Sequence, residues 1–325
     1  MDSNKAWLKA TSRLKYFRLA QAAFLFKNCS KEYPSCLNVE VTNRCNLACR
    51  FCPRPQMTRA VGDMELDFFK HLLAQLKPLP KLSRLLLYKD GEPLLHPQFD
   101  LFVSLAKREN VAKRIEIHTN GLLLNKDNYD RIINCGLDVI IVSLDAVSSK
   151  GYQDLKGVDG FNIACSNLNG LIRRRDELHR RLPLVIARGV RQGELIAGEK
   201  EFRALFEGSS DLVELAPLHE WDGSVPKLSD KKNVYKRQPC VIPWYNPVVL
   251  WDGRLAACCV SYQDNEMVMG DLNGQLLKDV WRGEKYQSLR EAHLEKDFTA
   301  WPTCAACPHW QAHPGWALGL KRLFL

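Results

Sequence analysis

From Leu37 onward the chain alternates between short apolar runs and longer amphipathic segments. The runs fall at Leu37–Val41, Arg84–Tyr88, Arg114–His118, Asp138–Val142, Pro183–Ala187 and Leu212–Ala216. Helical patterning falls between them, near Asp63–Lys77, Phe99–Glu109, Lys126–Asn134, Phe161–Arg181 and Gly198–Phe206. Strand-length runs alternating with helical ones imply βαβ units and a parallel sheet. Six units are too few for a full eight-stranded barrel. The pattern therefore predicts an α/β fold closed as a partial (β/α)6, TIM-like barrel. In barrels of this kind chemistry sits on the loops at the C-terminal strand ends.

The pattern changes at both ends of this region. Residues 1–36 form a basic amphipathic helical segment, with Lys5, Lys9, Arg13, Lys15 and Arg18 among Trp7, Leu8, Leu14, Phe17 and Leu19. Such a helix ordinarily packs across its own domain, and contact with a membrane surface is the alternative. The barrel is expected over 37–222, followed by a linker over 223–239 holding Gly223, Pro226, Asp230, Lys231 and Lys232. Residues 240–310 read as a small C-terminal domain. Within it Val248–Trp251 and Arg254–Ala257 flank Asp252-Gly253, which predicts a β-hairpin with a tight primed turn. Lys278–Leu294 reads as one helix. Residues 311–325 form an apolar tail with Trp316, Leu318, Leu320, Leu323, Phe324 and Leu325.

Composition narrows the class. The chain has 325 residues, 46% hydrophobic and 26% charged, which suits a globular enzyme with one large and one small domain. Its net charge of +9 is spread over helix faces such as Arg173–Arg175 and Arg180–Arg181. No nucleic-acid fold signature accompanies the charge, so the reading is a solvated surface and no nucleic-acid partner. There is neither a secretory signal nor a run long enough to span a membrane. Twelve cysteines in such a chain point to a reducing cytoplasm with clustered, metal-binding thiols. Cys29, Cys36, Cys135 and Cys165 lie apart from the clusters and are expected to pack unpaired.

Cys45, Cys49 and Cys52 follow the first strand with C-x3-C-x2-C spacing. Zinc ordinarily takes four ligands in paired C-x2-C units. Three thiolates suit an iron–sulfur cube instead, and leave one of its irons without a protein ligand. An open iron can bind a cofactor and pass it an electron.

Four segments on successive strand ends together resemble the radical S-adenosylmethionine (radical SAM) enzymes. They are the triplet with Phe51, then Asp90-Gly91-Glu92-Pro93, Thr119-Asn120-Gly121 and Ser143-Leu144-Asp145. The resemblance spans about residues 37–220. It implies a 4Fe–4S cluster on Cys45, Cys49 and Cys52. This cluster would bind S-adenosylmethionine at its open iron, and one electron would yield a 5′-deoxyadenosyl radical. It implies cofactor contacts from the Phe51 backbone to adenine and from Glu92 to the methionine ammonium. It likewise implies contacts from Asn120, from Ser143 near the ribose or carboxylate, and from Arg188 to the carboxylate. Asp90 stands where the family often has glycine. An external one-electron reductant of the flavodoxin or ferredoxin type is implied as a partner.

Cys240, Cys258, Cys304 and Cys307 form a second set that geometry alone would allow for zinc. It resembles the shortened, single-cluster (twitch) form of the SPASM auxiliary domain. That implies a second, fully ligated 4Fe–4S cluster. Cys259 adjoins Cys258, and neighbours on a strand point oppositely. Cys259 is therefore either a packing residue or a thiol facing the barrel mouth. Single-auxiliary-cluster relatives include a cyclitol dehydrogenase. The expected reaction is oxidation of a hydroxylated small molecule of the sugar, cyclitol or aminoglycoside type, with the auxiliary cluster accepting the electron. Epimerisation with Cys259 as hydrogen donor is the alternative. A peptide substrate is a further one, disfavoured because only about 36 residues precede the first strand, too few for a leader-binding module. A non-catalytic iron–sulfur or zinc scaffold is the reading of another class. Tyr88, His96, His118, Asp145, His219, Glu220 and Asp222 are the polar residues expected near the mouth. Of these, Asp145 and His118 are the candidates for substrate contact.

Overall fold

A computed structural model describes residues 29–218, 221 and 237–311 of the chain. The N-terminal helical segment through residue 28, His219, Glu220, Asp222, most of the linker and the tail beyond residue 311 lie outside the described residues. The strands are β1 Cys36–Val39, β2 Arg84–Leu86, β3 Ile115–Thr119, β4 Val139–Ser143, β5 Leu184–Arg191, β6 Leu212–Pro217, β7 Val248–Val249, β8 Arg254–Ala256 and β9 Val268–Asp271. The helices are α1 Leu66–Leu76, α2 Phe99–Glu109, α3 Tyr129–Asn134, α4 Ser149–Lys156, α5 Phe161–Glu177, α6 Glu199–Phe206, α7 Leu277–Arg282, α8 Glu284–Glu295 and α9 Pro302–Ala306.

All nine strands form one sheet in the order β6-β5-β4-β3-β2-β1-β7-β8-β9. The first six are parallel, each joined to the next through helix, as the alternating pattern requires. Among the described residues the sheet does not close, and β6 and β9 are its two ends. β7 pairs in parallel with β1, and β8 and β9 continue antiparallel. The C-terminal hairpin thus extends the barrel sheet itself.

Register assigns the side chains to two faces, because neighbours along a strand point oppositely. Leu37, Val39, Leu85, Ile115, Ile117, Ile140, Val142, Val185 and Ala187 join the core under the helices, with Phe69, Leu72 and Phe102. The other face carries Asn38, Leu86 and Glu116 in register, then His118 beside Ile141, and Ser143 beside Arg188. Tyr88 follows β2 with the parity of Leu86. The chemistry-bearing residues therefore share the face turned away from the helices.

Three local expectations are corrected. The hairpin turn is a three-residue loop: Leu250 N–H donates to Arg254 O, and Gly253 N–H donates back to Leu250 O. Gly253 takes φ +91, while Asp252 is not among the positive-φ residues a primed Asp-Gly turn would need. The single helix over Lys278–Leu294 is two, parted at Gly283, which is extended with ψ 164. Arg290 fills the angle between them, donating to Pro243 O and Trp281 O and lying over the rings of Trp281 and Tyr286. Helix α4 was not foreseen, although Ser148 caps it through Gly151 N–H and Gly157 ends it in the left-handed region.

The loop after β1 is tied down by a buried charge network. Arg59 reaches both oxygens of Glu40 at 2.9 Å and Asp90 at 2.9 Å, with all three side chains almost wholly buried. Its Nε donates to Tyr262 O from the C-terminal region, and Trp251 N–H donates to Glu40. Removing one partner from a buried pair costs roughly 3–5 kcal/mol, because the other charge stays behind unpaired. Arg59→Met is expected to destabilise the fold by about that much. Chemical denaturation measures it, and a loss under about 1 kcal/mol would show the network to be dispensable.

Candidate active site

The loop that carries the cysteine triplet is stitched to itself and to its neighbours. Thr42 donates to Gly62 O and Asp63, and Asn43 donates to Ala60 O. Arg54 donates to the carbonyls of Cys45 and Leu47, and Arg50 N–H donates to Leu155 O at the end of α4. Asp90-Gly91-Glu92-Pro93 lies directly against this loop. Glu92 N–H donates to Arg44 O at 2.7 Å. A side chain at Gly91 would collide with the backbone oxygens of Thr42 and Arg44, so only glycine fits. Asp90, the departure from the family pattern, points into the Arg59 network and also pairs with Lys89.

The three thiols are free and half-buried. Burial pushes Cys49 up to about 11 and Cys52 up to about 12. Cys49 and Cys52 also feel the charge of Cys45, and Cys52 that of Cys49. The second set behaves alike: burial raises Cys304 most, then the charges of Cys258, Cys240 and Cys307. Cys304 thus feels the charges of the other three thiols of its set. Among the described residues no group of His, Cys, Asp or Glu closes around a single metal ion.

Glu92 is buried and well supplied with donors. One oxygen accepts from Thr119 Oγ1 at 2.8 Å and Leu94 N–H at 3.1 Å, the other from Asn120 N–H at 2.7 Å. Burial pushes its carboxyl up, and those donors together with Lys156 pull it back. A carboxylate has about four acceptor positions, so roughly one is left open. Asn120 spans the gap to the cysteine loop, donating to Asn46 Oδ1 at 2.7 Å. The Phe51 carbonyl accepts from Trp221 Nε1 at 3.0 Å. Ser143 and Arg188 are register partners. The Ser143 carbonyl accepts from Lys156, and its hydroxyl has no partner among the described residues.

Asp145, expected to contact substrate, is instead occupied inside the fold. One oxygen accepts from Val190 N–H at 3.0 Å and the other pairs with Lys156 at 2.8 Å, both side chains 2% exposed. Its φ of +60 turns the chain after β4 so that this contact forms. Lys156, missed in the sequence, is the counterion; its place in α4 is what hid it. His96 is also internal, bonded through Nε2 to Met64 O and through Nδ1 to Gln98 N–H.

His118 does face the open side. It stacks on Tyr88 with ring centroids 3.8 Å apart, and Arg188 Nη1 lies 3.4 Å from its Nδ1. Burial, then Arg188 and Arg84, hold its imidazole well below the usual range, so it is neutral. Arg188 Nε has no hydrogen-bond acceptor among the described residues. Tyr88 packs with Cys240 and Cys258 against the patch of Cys36, Leu86, Trp244 and Tyr245. Cys259 Sγ lies 4.0 Å from His309 Nε2, and burial followed by the Cys258 charge raises its thiol well above the ordinary value.

Ligand thiols must give up protons on binding metal. With Cys49 near 11 and Cys52 near 12, the triplet is protonated at neutral pH. Iron and sulfide uptake by anaerobic apoprotein should therefore strengthen as pH rises from about 7 to 9, by up to tenfold per proton per unit. Iron content at fixed reagent concentration reads this out, and pH-independent uptake would contradict it.

Known proteins agree with this geometry. Residues 39–174 match the radical SAM superfamily, and residues 240–308 match SPASM, an iron–sulfur cluster-binding domain. A tungsten-containing aldehyde ferredoxin oxidoreductase cofactor-modifying protein from Pyrococcus furiosus is 23% identical over 83% of this chain and 86% of its own. The S-adenosyl-L-methionine-dependent 2-deoxy-scyllo-inosamine dehydrogenase of Niallia circulans is 26% identical over 79% of this chain and 86% of its own. In structure the chain resembles BtrN in complex with AdoMet and 2-DOIA, with TM-score 0.58, 22% identity and coverage of 85% and 93%. It also resembles Streptococcus suis SuiB bound to precursor peptide SuiA, with TM-score 0.64, 17% identity and coverage of 83% and 70%. With its cysteine triplet, its strand-end motifs and its second convergent cysteine set, the chain belongs to the radical SAM superfamily and carries a C-terminal SPASM iron–sulfur domain.

Proposed function

We propose that this radical SAM enzyme oxidises a hydroxylated small molecule, of the sugar, cyclitol or aminoglycoside type, with its auxiliary cluster as electron acceptor. Cys45, Cys49 and Cys52 would hold the first 4Fe–4S cluster, and Cys240, Cys258, Cys304 and Cys307 the second. Bound there, the cofactors supply a low-potential electron and a 5′-deoxyadenosyl radical. The residues of the chain position the partners. The free acceptor position of Glu92 suits the methionine ammonium, and Arg188, whose Nε makes no hydrogen bond and lies 3.9 Å from Glu214, stands beside the unpartnered Ser143 hydroxyl where it suits the carboxylate. The Trp221–Phe51 contact braces the backbone assigned to adenine.

Oxidation removes one hydrogen atom from a carbinol carbon, one proton from its hydroxyl and one electron. The hydrogen atom ends on 5′-deoxyadenosine. Neutral His118 can accept the proton; burial is the main cause of its depression, and a carboxylate paired with Arg188 would relieve the smaller part that comes from that guanidinium. Cys240, Cys258, Cys304 and Cys307 would hold the group that supplies the acceptor for the electron. One observation carries this reading: Tyr88, stacked on His118, belongs to the same apolar patch as Cys240 and Cys258. Proton acceptor and electron acceptor thus share a boundary. The 26% identity to a cyclitol-amine dehydrogenase supports the substrate class. The likeness to SuiB, at 17% identity, bears on fold alone.

Epimerisation is favoured by a different observation, the protonated thiol of Cys259 beside His309. In deuterium oxide an oxidation yields a ketone with no deuterium gained at the reacting carbon, insensitive to Cys259→Ala. An epimerisation yields deuterium at one inverted carbon and is abolished by Cys259→Ala. The first outcome is expected, and the second would overturn the oxidation reading.

The reductant is taken to be a flavodoxin- or ferredoxin-type carrier and the compartment the cytoplasm, in keeping with free thiols throughout the described residues. No helix among the described residues is long and apolar enough to cross a membrane. Glu92→Gln keeps the shape but loses the charge. A charge-assisted hydrogen bond is worth about 1.5–3 kcal/mol, so S-adenosylmethionine affinity should fall about 10–150-fold. Equilibrium binding measures this, and unchanged affinity would remove Glu92 from the site.

A further inference from the structure

A four-thiolate cluster carries net negative charge, and reduction adds one more. Net charge and hydrogen bonding around the sulfurs set its potential. A cation beside the cluster stabilises the reduced form more than the oxidised one, so long as no carboxylate neutralises it. The surroundings of the second cysteine set therefore decide whether it can take an electron from a substrate radical.

Arg237 lies at the start of this region, three residues before Cys240. Its guanidinium is clamped by the backbone of the closing cysteine pair. Nη1 donates to Cys307 O at 2.8 Å and Nη2 to Cys304 O at 3.0 Å. Two rings hold it from the sides, Phe298 at 4.5 Å and Trp310 at 5.3 Å from the guanidinium carbon. Its Nε–H is buried with no acceptor among the described residues. Nor does any carboxylate among them pair with it. Burial works against its charge, and the charges that favour it are those of Cys240, Cys304 and Cys307. Arginine remains protonated in proteins nonetheless. The side chain is thus a fixed cation whose counter-charge is the cysteine set itself.

Lys89 makes the contrast. It is the other cation felt by Cys258 and Cys259, but it is paired with Asp90, so the two charges largely cancel. Among the described residues Arg237 has no such partner.

We infer that Arg237 is a positioning residue for the redox step, an unneutralised guanidinium that raises the reduction potential of the auxiliary cluster. This deepens the oxidation reading and rests on it for its purpose: the substrate radical gives up one electron and one proton to become a carbonyl, and the cluster that takes the electron gains one negative charge beside Arg237. The cluster is then reoxidised by a one-electron carrier.

The test is the midpoint potential of the auxiliary cluster. It is measured by redox titration of full-length protein in which Cys45, Cys49 and Cys52 are alanine, so that only the second cluster reports. Arg237→Gln keeps side-chain donors for the two carbonyls and removes the charge. Its potential should fall by about 59 mV or more, which is tenfold in the one-electron equilibrium. Arg237→Lys keeps the charge and should stay near the parent. An Arg237→Gln potential equal to the parent, or an Arg237→Lys potential as low as that of Arg237→Gln, overturns the inference. Iron content is measured alongside. Should Arg237→Gln fail to hold a cluster, the Lys variant decides: loading with near-parental potential supports the charge role, while failure of both shows a structural clamp and overturns it. A lowered potential in an enzyme that proves to invert its substrate would leave this inference standing and remove the oxidation reading.

Discussion

The site depends on the buried contact of Arg59 with Glu40 and Asp90. Glu40 closes β1, Asp90 follows β2, and Arg59 lies in the loop that carries the cysteine triplet. The same guanidinium bonds to Tyr262 O, beyond β8. One side chain therefore fixes the cysteine loop against two strand ends and against the C-terminal region. Desolvating three charges is unfavourable by itself, and the attraction offsets it only when every hydrogen bond is made. That requirement gives the network its specificity, because any other path of the loop would strand buried charge. It also explains Asp90. A glycine there could let the loop approach, but it could not answer Arg59, and Gly91 alone supplies the close approach to Thr42 and Arg44.

The fold was legible where periodicity is strong. The six parallel strands and the helices α1, α2, α5 and α6 follow directly from runs of Leu, Ile and Val alternating with amphipathic segments. Period-2 alternation even sorts the residues, sending Val142 and Ala187 to the helices and Ser143 and Arg188 to the open face. Less was legible where a single residue changes the geometry. Gly283 splits a helix whose apolar spacing runs on unbroken, because spacing alone does not register an extended backbone at one position. Asp252-Gly253 reads as a two-residue turn, but Asp252 lacks the positive φ such a turn needs, and Gly253 at φ +91 closes a three-residue one. The pairing of β7 with β1 is non-local and leaves no trace in either segment.

At the site, the cysteines, Glu92 and Asn120 could be recognised from motifs, because short motifs are local. Their counterions could not. Lys156 meets Asp145 across a loop and a helix, and the pairing withdraws Asp145 from the mouth. A cap at Ser148 and a left-handed Gly157 did mark the helix that brings Lys156 there. Trp221 meets Phe51 across 170 residues of chain, which no local pattern encodes. The same holds for Tyr88 and His118, which sit on adjacent strands and become a stacked pair only once register is known.

Electrostatic surroundings distinguish the two cysteine sets, and that difference bears on the direction of electron flow. Around the triplet the signs are mixed. After burial, Cys49 feels Lys156 opposed by Asp145, and Cys45 feels Glu92 opposed by Arg54 and Lys156. Cys52 feels Asp90. The carboxylates of Glu92, Asp145 and Asp90 oppose the cations Lys156 and Arg54, so adding an electron there gains little from the protein. This suits a centre that must donate an electron to a sulfonium. Among the described residues the one cation felt by Cys240 and Cys304 is Arg237, with no carboxylate among them to answer it. An added electron there is stabilised, as an acceptor requires. With β7 bonded to β1, the loops that carry both cysteine sets are anchored on one sheet, which would keep a donor and an acceptor held there in fixed relation. An epimerase has no need of such a gradient, because its hydrogen atom returns without an electron leaving. The asymmetry of charge is therefore an argument for oxidation that is independent of resemblance to any other protein.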